Sequence, residues 1–83
     1  MAQTVTSRRE KFVINCIALA SSIVKLPIKH MWIDYDREAD VLYLSFRKPQ
    51  RANKTIETED DILLRKDGNK IVGVTILNAS TRE

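Results

Sequence analysis

The stretch DILLRKDGNKIVGVTIL, residues 61–77, holds the strongest signal for the fold of this chain. Two runs rich in aliphatic and β-branched residues flank Asp67-Gly68, a dipeptide that favours a tight hairpin turn. Gly73 interrupts the second run, and a glycine inside a strand indicates a bulge or close packing against another element. The stretch therefore predicts two neighbouring antiparallel strands.

Three further strands are predicted upstream of this hairpin. The runs MWIDY, VLYLSF and KTIET, within residues 31–58, are short, rich in aromatic or β-branched residues and separated by turn-forming segments. Pro49 excludes the basic loop RKPQRAN from a central strand. Because short connections favour antiparallel neighbours, residues 31–83 are predicted to form a four- or five-stranded antiparallel β-meander domain.

In the first part of the chain, the apolar residues recur with a different period from those of the predicted strands. Residues 1–30 are predicted to form a basic and apolar helical extension, with a capping box from Ser7 to Glu10 and a stop at Pro27. Apolar residues recur at helical spacing, and others widen the apolar stripe beyond one side. The predicted fold class is α+β: an N-terminal helix followed by the meander. Two alternatives stay open for residues 1–30, a secretory signal and an extension added upstream of Met31.

Composition narrows the class of protein. The 83 residues carry 14 Lys or Arg and 11 Asp or Glu, and the basic excess lies in residues 1–30. A hydrophobic share of 43% is typical of a globular domain. The single cysteine, Cys16, excludes a disulfide framework within one chain and favours a reducing compartment, so a cytoplasmic location is expected.

Alternation along the strands predicts a sheet that is apolar on both sides. One side combines Tyr35, Leu42, Leu44, Phe46, Val72, Val74 and Ile76, which are predicted to be structural, with Ile33, Ile56, Ile62 and Leu64. The other side shows Trp32, Val41, Tyr43, Leu63, Ile71 and Leu77. Such a sheet needs two covers, and the chain supplies one helix. The second cover is expected to be another copy of the protein or a partner protein.

This reasoning assigns the oligomer contact to side chains on both elements. The candidate contact residues are Phe12, Cys16, Ile17 and Ile23 of the helix and Trp32, Tyr43 and Leu63 of the sheet. A membrane is not expected as a partner, because Asn15 and Lys25 interrupt the apolar run well before the length of a membrane span.

Four carboxylates at alternate positions, Asp34 to Asp40, raise the question of a metal site. A calcium loop that began at Asp34 would need glycine at its sixth place and glutamate at its twelfth, which hold Ala39 and Ser45. A hairpin turn that Asp36 starts and Asp40 closes is the favoured interpretation. No metal and no cofactor are expected. Since no nucleophile motif or phosphate-binding glycine pattern occurs either, the chain is expected not to be an enzyme.

Nucleic-acid binding is the alternative function. The candidate phosphate contacts are the helix residues Arg8, Arg9 and Lys11 and the loop residues Arg47, Lys48 and Arg51. Against this, the acidic run that begins at Glu57 is expected to pair with the basic loop across the adjacent hairpin. Aromatic residues are also poorly interleaved with the cations, which stacking on bases would require.

Two motifs resemble the domain of unknown function 2283 family of small prokaryotic proteins. The first is Tyr35, Asp36, Glu38, Ala39, Asp40, Leu42 and Tyr43, and the second is Asp67, Gly68, Val72, Gly73, Ile76, Leu77, Ala79 and Ser80. The likeness covers roughly residues 32–80, departs from the family pattern at Asn78 and Thr75, and leaves out the N-terminal helix. It implies a compact β-rich module without assigned catalysis. Some members are similar to the antitoxin-like halves of two-gene modules, which implies a protein partner.

Together these observations predict a small, non-catalytic protein-interaction module. It is expected to assemble as a homo-oligomer and to bind a second protein, as an antitoxin-like protein does. The number of subunits and the identity of the partner are left open by the sequence.

Overall fold

The computed structural model describes residues 8–82. It contains one helix, α1 (Arg8–Ile23), and five strands: β1 (Trp32–Asp36), β2 (Val41–Ser45), β3 (Lys54–Glu57), β4 (Ile62–Asp67) and β5 (Lys70–Leu77), followed by the short 3-10 helix η1 (Ala79–Thr81). The predicted α+β layout, a helix followed by a five-stranded antiparallel sheet, is confirmed. The capping box predicted at Ser7 lies outside the described residues.

The strand order is β1-β2-β5-β4-β3, and every neighbouring pair is antiparallel. The prediction of a meander is therefore wrong at one connection, because β2 and β3 are not neighbours. Strand β5, the longest strand of the sheet and one rich in apolar residues, takes the central position, where both of its edges are hydrogen-bonded. Residues 46–53 cross the end of the sheet to start β3 at its far edge.

Gly73 has both of the roles predicted for a glycine inside a strand. The register of β4 against β5 shifts between Arg65 and Lys66, which marks a bulge next to Gly73. A Cβ atom at Gly73 would lie 2.1 Å from Nε2 of Gln50 and 2.8 Å from the carbonyl oxygen of Leu44. The glycine therefore makes room for the Gln50 side chain.

Both predicted turns are confirmed. Gly68 lies in the two-residue turn between β4 and β5 with a φ of 62°. In the β1–β2 turn, the backbone N–H of Ala39 donates to Oδ1 of Asp36 at 3.2 Å. Asp40 closes that turn in the left-handed region, with a φ of 57°, which aspartate tolerates better than most residues.

The described chain has almost no closed core. Among residues 8–82, Val41 and Val72 are the apolar side chains that are buried, with exposed fractions of 9% and 1%. The sheet is a single layer, and α1 does not pack along any strand, because nearly every described side chain of the helix is exposed. The molecule is elongated, 53 × 28 × 22 Å. One form of the expected packing was that the helix covers the sheet of its own chain. The structure does not contain this packing.

Helix α1 ends in a tightened turn before Pro27. The N–H groups of Lys25 and Leu26 donate to the carbonyl oxygens of Ser22 and Ile23, each three residues earlier, at 3.2 and 3.0 Å. The following segment, Leu26 to Ile28, lines a cavity together with residues of the sheet. No helix among residues 8–82 has the length and hydropathy needed to cross a membrane.

Candidate interaction surface

The strand register assigns most of the apolar side chains to one side of the sheet, here called the apolar face. It consists of Ile33, Tyr35, Leu42, Leu44, Ile56, Ile62, Leu64, Val74 and Ile76. None of these nine side chains is buried, and Ile33, Tyr35 and Ile56 are exposed. An apolar surface of this extent is typical of a contact with another protein surface.

The opposite side, here called the mixed face, is smaller and partly polar. Its central row joins Tyr43, Thr75 and Leu63, with Asp34 and Glu57 at the two edges of the row. Val41, Tyr43, Leu63 and Leu77 line a shallow concavity of about 470 Å³ on this face. Thr75 is buried there, so the middle of the face carries a small side chain.

A groove runs along one end of the apolar face. Its walls are the segment Leu26–Ile28 on one side and the sheet residues Leu44, Phe46, Leu64, Ile71 and Val74 on the other, and its volume is about 620 Å³. The prediction that Ile71 lies on the opposite side from these residues is wrong, because the bulge in β5 turns Ile71 toward the apolar face. The chain after α1 therefore borders this face across the groove.

Charges separate to the two ends of the sheet. The register brings three turn or terminal segments, residues 37–40, 58–61 and 78–82, to one end, here called the acidic end. It carries Asp36, Glu38, Asp40, Glu57, Glu59, Asp60 and Asp61 with Arg37 and Arg82. The other end, here called the basic end, carries Arg47, Lys48, Arg51, Lys54, Lys66 and Lys70 with Asp67.

The expectation that the acidic run pairs with the basic loop is therefore wrong. Strand β3 runs from Lys54 at the basic end to Glu57 at the acidic end and keeps the two segments apart. Arg47 pairs instead with Asp67, at 2.6 Å, on the same end of the sheet. Both groups are partly exposed, and a pair of this kind contributes about 0–1 kcal/mol.

The acidic end is held together by Asp40. Its Oδ1 accepts hydrogen bonds from the Tyr35 hydroxyl at 2.6 Å and from the Ser80 backbone N–H at 2.9 Å, and its Oδ2 accepts one from the Ser80 hydroxyl at 2.8 Å. The Asp40 carbonyl oxygen also accepts from the N–H of Ala79. Asp40 thus links the β1–β2 hairpin to η1, forty residues further along the chain.

These hydrogen bonds shift two pKa values in opposite directions. The hydroxyl groups of Tyr35 and Ser80 donate to the ionised carboxylate, so the pKa of Asp40 is lower than its ordinary value. The pKa of Tyr35 is raised, chiefly because its proton is held in the hydrogen bond to Asp40. The carboxylate of Asp40 is therefore a structural acceptor that stays ionised at neutral pH.

We expect Asp40→Asn to destabilise the chain at neutral pH and to have little effect in acid. Because the pKa of Asp40 is depressed in the folded chain, its contribution is present above the unfolded value of about 3.9 and is lost as the pH falls through the folded value. Asparagine tolerates the same left-handed backbone. Urea midpoints of wild type and variant should differ at pH 7, begin to approach each other below about pH 4 and converge once the pH lies below the folded-state pKa of Asp40.

The matched control for this prediction is Asp34→Asn, which removes a carboxylate from the same hairpin without contacting Ser80. Its urea midpoint should follow that of the wild type at every pH. A difference between wild type and Asp40→Asn that stays constant from neutral pH into acid would refute the assignment.

The basic end contains a second polar network, centred on Gln50. Its Nε2 donates to the Ser45 hydroxyl at 2.6 Å, and its Oε1 accepts from Nε of Arg65 at 3.2 Å. The Arg47 guanidinium donates to the Gln50 carbonyl oxygen at 2.9 Å as well as to Asp67. Nothing in the sequence pattern pointed to Gln50, since its role depends on the space that Gly73 leaves.

The predicted oligomer-contact residues fall into two groups. Trp32, Tyr43 and Leu63 share the mixed face, where Trp32 and Tyr43 are exposed and Leu63 is half-buried. The four helix residues, Phe12, Cys16, Ile17 and Ile23, lie on α1, and all but the half-buried Ile23 are exposed. The structure thus leaves both groups accessible but does not bring them together within one chain. The apolar face is the larger exposed surface, and the sequence assigned it to the interior.

The predicted nucleic-acid contacts also lie on separate elements. Arg47, Lys48 and Arg51 share the loop at the basic end, with Lys48 and Arg51 exposed. Arg9 and Lys11 are at the start of α1; the side chain of Arg8 is outside the described part of the structure. Among residues 8–82, no group of three or more His, Cys, Asp or Glu side chains is arranged to hold a metal ion.

A comparison with family models gives one relationship. The family described as "Protein of unknown function (DUF2283)" matches residues 32–80, more than half of the chain. The chain belongs to this family. No curated protein and no solved structure matches it.

The match extends from the start of β1 into η1, so it contains the whole sheet and leaves α1 outside. The two family motifs meet at the acidic end, where Asp40 of the first motif accepts the hydrogen bonds of Ser80 from the second. Asn78 has a φ of 53°, a left-handed conformation that both asparagine and the family's aspartate tolerate. The two motifs thus contain the residues that join the β1–β2 turn to η1 at the acidic end of the sheet.

Proposed function

We propose that this family member is a non-catalytic protein-interaction module that assembles as a homo-oligomer. The observation that supports it is the near absence of a closed core: of the described apolar side chains, Val41 and Val72 are buried, while both sheet faces and α1 stay open. A domain of this size is marginal even when its core is closed. Association that removes these surfaces from water would supply the missing burial.

Energetics favour this proposal over a solitary chain. Burying a large aliphatic or aromatic side chain contributes about 1.5–3 kcal/mol. Several exposed side chains of α1 and of the sheet are of this kind, including Phe12, Ile17 and Ile33 with exposed fractions of 68%, 65% and 53%. Several of them buried on each of two chains can offset the cost of association, which is about 4–15 kcal/mol.

The sheet contact proposed from the sequence is tested by Tyr43→Asp combined with Leu63→Asp. Carboxylates on the mixed face should prevent a second chain from covering that face, so the mass by light scattering should fall below that of the wild type. Tyr43→Phe combined with Leu63→Met is the matched control, since it keeps the apolar surface and should keep the mass. An unchanged mass for the aspartate variant would remove these two residues from the contact.

A more specific form of this proposal adds a second protein as a partner, of the antitoxin-like kind that the family resemblance implies. The groove beside Leu26–Ile28 would suit an apolar segment of such a partner. The lone exposed Cys16 fits a reducing, cytoplasmic setting. Affinity purification from native cells with mass spectrometry would test for a stoichiometric partner besides the chain itself.

Binding of a polyanion at the basic end is the second candidate function. The observation that favours it is the clustering of Lys48, Arg51, Lys54, Lys66 and Lys70 at one end of the sheet, away from the acidic turns. Such a cluster can contact successive phosphates of a nucleic acid. Retention on DNA or RNA at low salt that disappears as salt is raised would support it, and no retention at low salt would exclude it.

A further inference from the structure

We infer that the apolar face is covered by helix α1 of a second copy of this chain, through a reciprocal exchange of helices. This inference rests on the proposed homo-oligomeric function and names the surface and the segment that it uses. Both surfaces are open in the single chain: no side chain of the apolar face is buried, and most of α1 is exposed. The chain therefore contains two unpartnered apolar surfaces, each of which can cover the other in a second copy.

The dimensions of the two surfaces agree. Helix α1 has 16 residues, which makes it about 24 Å long. Strand β5, at the centre of the sheet, has eight residues, a length of about 26 Å. Five strands at about 4.8 Å spacing give a sheet about 19 Å wide, enough for a helix about 10 Å in diameter to lie along it.

The composition of α1 suits a buried position. At 3.6 residues per turn, Lys11, Asn15 and Ser22 fall on one narrow side, while Arg9 and Glu10 of the first turn and Ser21 lie outside it. Beyond the first turn, the surface opposite this narrow side is apolar and includes Phe12, Val13, Cys16, Ile17, Ala20 and Ile23. A helix that is apolar over most of its circumference is buried in its working state. One side of it can meet the sheet while another meets a neighbouring helix.

Charge determines which way α1 lies on the sheet. Its first turn is basic, with Arg9 and Lys11 exposed, and the sheet has an acidic end formed by the turns after β1 and β3. The favourable orientation places the start of α1 at the acidic end and its last turn toward the basic end. The reverse orientation would bring Arg9 and Lys11 against Lys48, Arg51 and Lys54.

The chain itself favours exchange over folding back. Residues Leu26–Ile28, directly after α1, border the groove on the apolar face at the basic end. Helix α1 does not pack along any strand of its own chain, and the molecule is 53 Å long. A helix that extends from one copy while its anchor stays on the sheet is the arrangement from which domain exchange arises.

The test uses Cys16, the single cysteine of the chain, as a site-specific probe on α1. Wild-type chain is mixed with a tagged chain that carries Cys16→Ser and Leu42→Cys, and the mixture is treated with a short bismaleimide. Each chain then has one thiol, so a tagged heterodimer on a denaturing gel arises only from contact between copies. Leu42 is on the apolar face; the neighbouring Tyr43 is on the mixed face, and Tyr43→Cys in the same background is the matched control.

The expected result is a heterodimer with Leu42→Cys that is lost with Tyr43→Cys. Ile33→Cys, at an exposed edge of the apolar face, provides a second position in case Leu42→Cys disturbs packing. Light scattering on the same mixtures tests the proposed homo-oligomer separately from the helix exchange. An oligomeric mass with no cross-link at either apolar-face position overturns the helix exchange and leaves the proposed function standing. A monomeric mass for the wild-type chain overturns both.

Discussion

The variant Phe12→Asp/Ile17→Asp is expected to be monomeric and to lose most of the helical circular-dichroism signal of the wild type. Both side chains are more than half exposed in the single chain, so the substitutions disturb little internal packing. In an assembly each would lose about 1.5–3 kcal/mol of apolar burial and add the cost of burying a carboxylate. An isolated helix of 16 residues is marginal in water, so α1 should unfold once its cover is gone.

The matched control is Asn15→Asp/Ser22→Asp. It adds the same two charges to α1, but on the narrow polar side of the helix. This variant should keep the oligomeric mass and most of the helical signal. If both variants behave like the wild type, α1 takes no part in assembly; if both dissociate, added charge rather than the apolar surface is responsible.

Gly73→Ala is expected to destabilise the sheet by about 1–3 kcal/mol, the usual cost of overpacking. The new Cβ would lie 2.1 Å from Nε2 of Gln50, whose side chain must leave its hydrogen bonds to Ser45 and Arg65. It would also lie 2.8 Å from the carbonyl oxygen of Leu44, which is backbone in the neighbouring strand and cannot move aside alone. Urea denaturation measures the loss.

Gly68→Asn is the matched control for this second prediction. Nothing lies within 4 Å of a Cβ at Gly68, and asparagine tolerates its left-handed backbone. Its urea midpoint should therefore stay close to that of the wild type. A Gly73→Ala variant as stable as the wild type would show that Gln50 and β2 adjust without cost, and the close approach at Gly73 would then have no energetic meaning.

Local features of this fold could be predicted from the sequence because local chemistry determines them. Asp67-Gly68 favours a tight turn by its backbone preferences, and Gly73 marked a bulge because no other residue fits beside Gln50. Alternation assigned most strand residues to the correct face. Ile71 is an exception, since the bulge interrupts the period of two on which the prediction relied.

Long-range features could not be predicted in the same way. The eight-residue connection after Ser45 is long enough to cross the sheet end, so composition alone did not show that β5 separates β2 from β4. The contact of Asp40 with Ser80 joins residues forty positions apart. Helix α1 is apolar on most sides, so its period could not say which side of the sheet it covers.

Sedimentation equilibrium of the wild-type chain over a wide concentration range checks the claim on which both the proposed function and the helix exchange depend. The claim is that one copy leaves too much apolar surface in water to exist alone. It predicts a mass of at least two 9.5 kDa chains that falls only on extreme dilution. A single species of 9.5 kDa up to the solubility limit, with a cooperative unfolding transition, would contradict it.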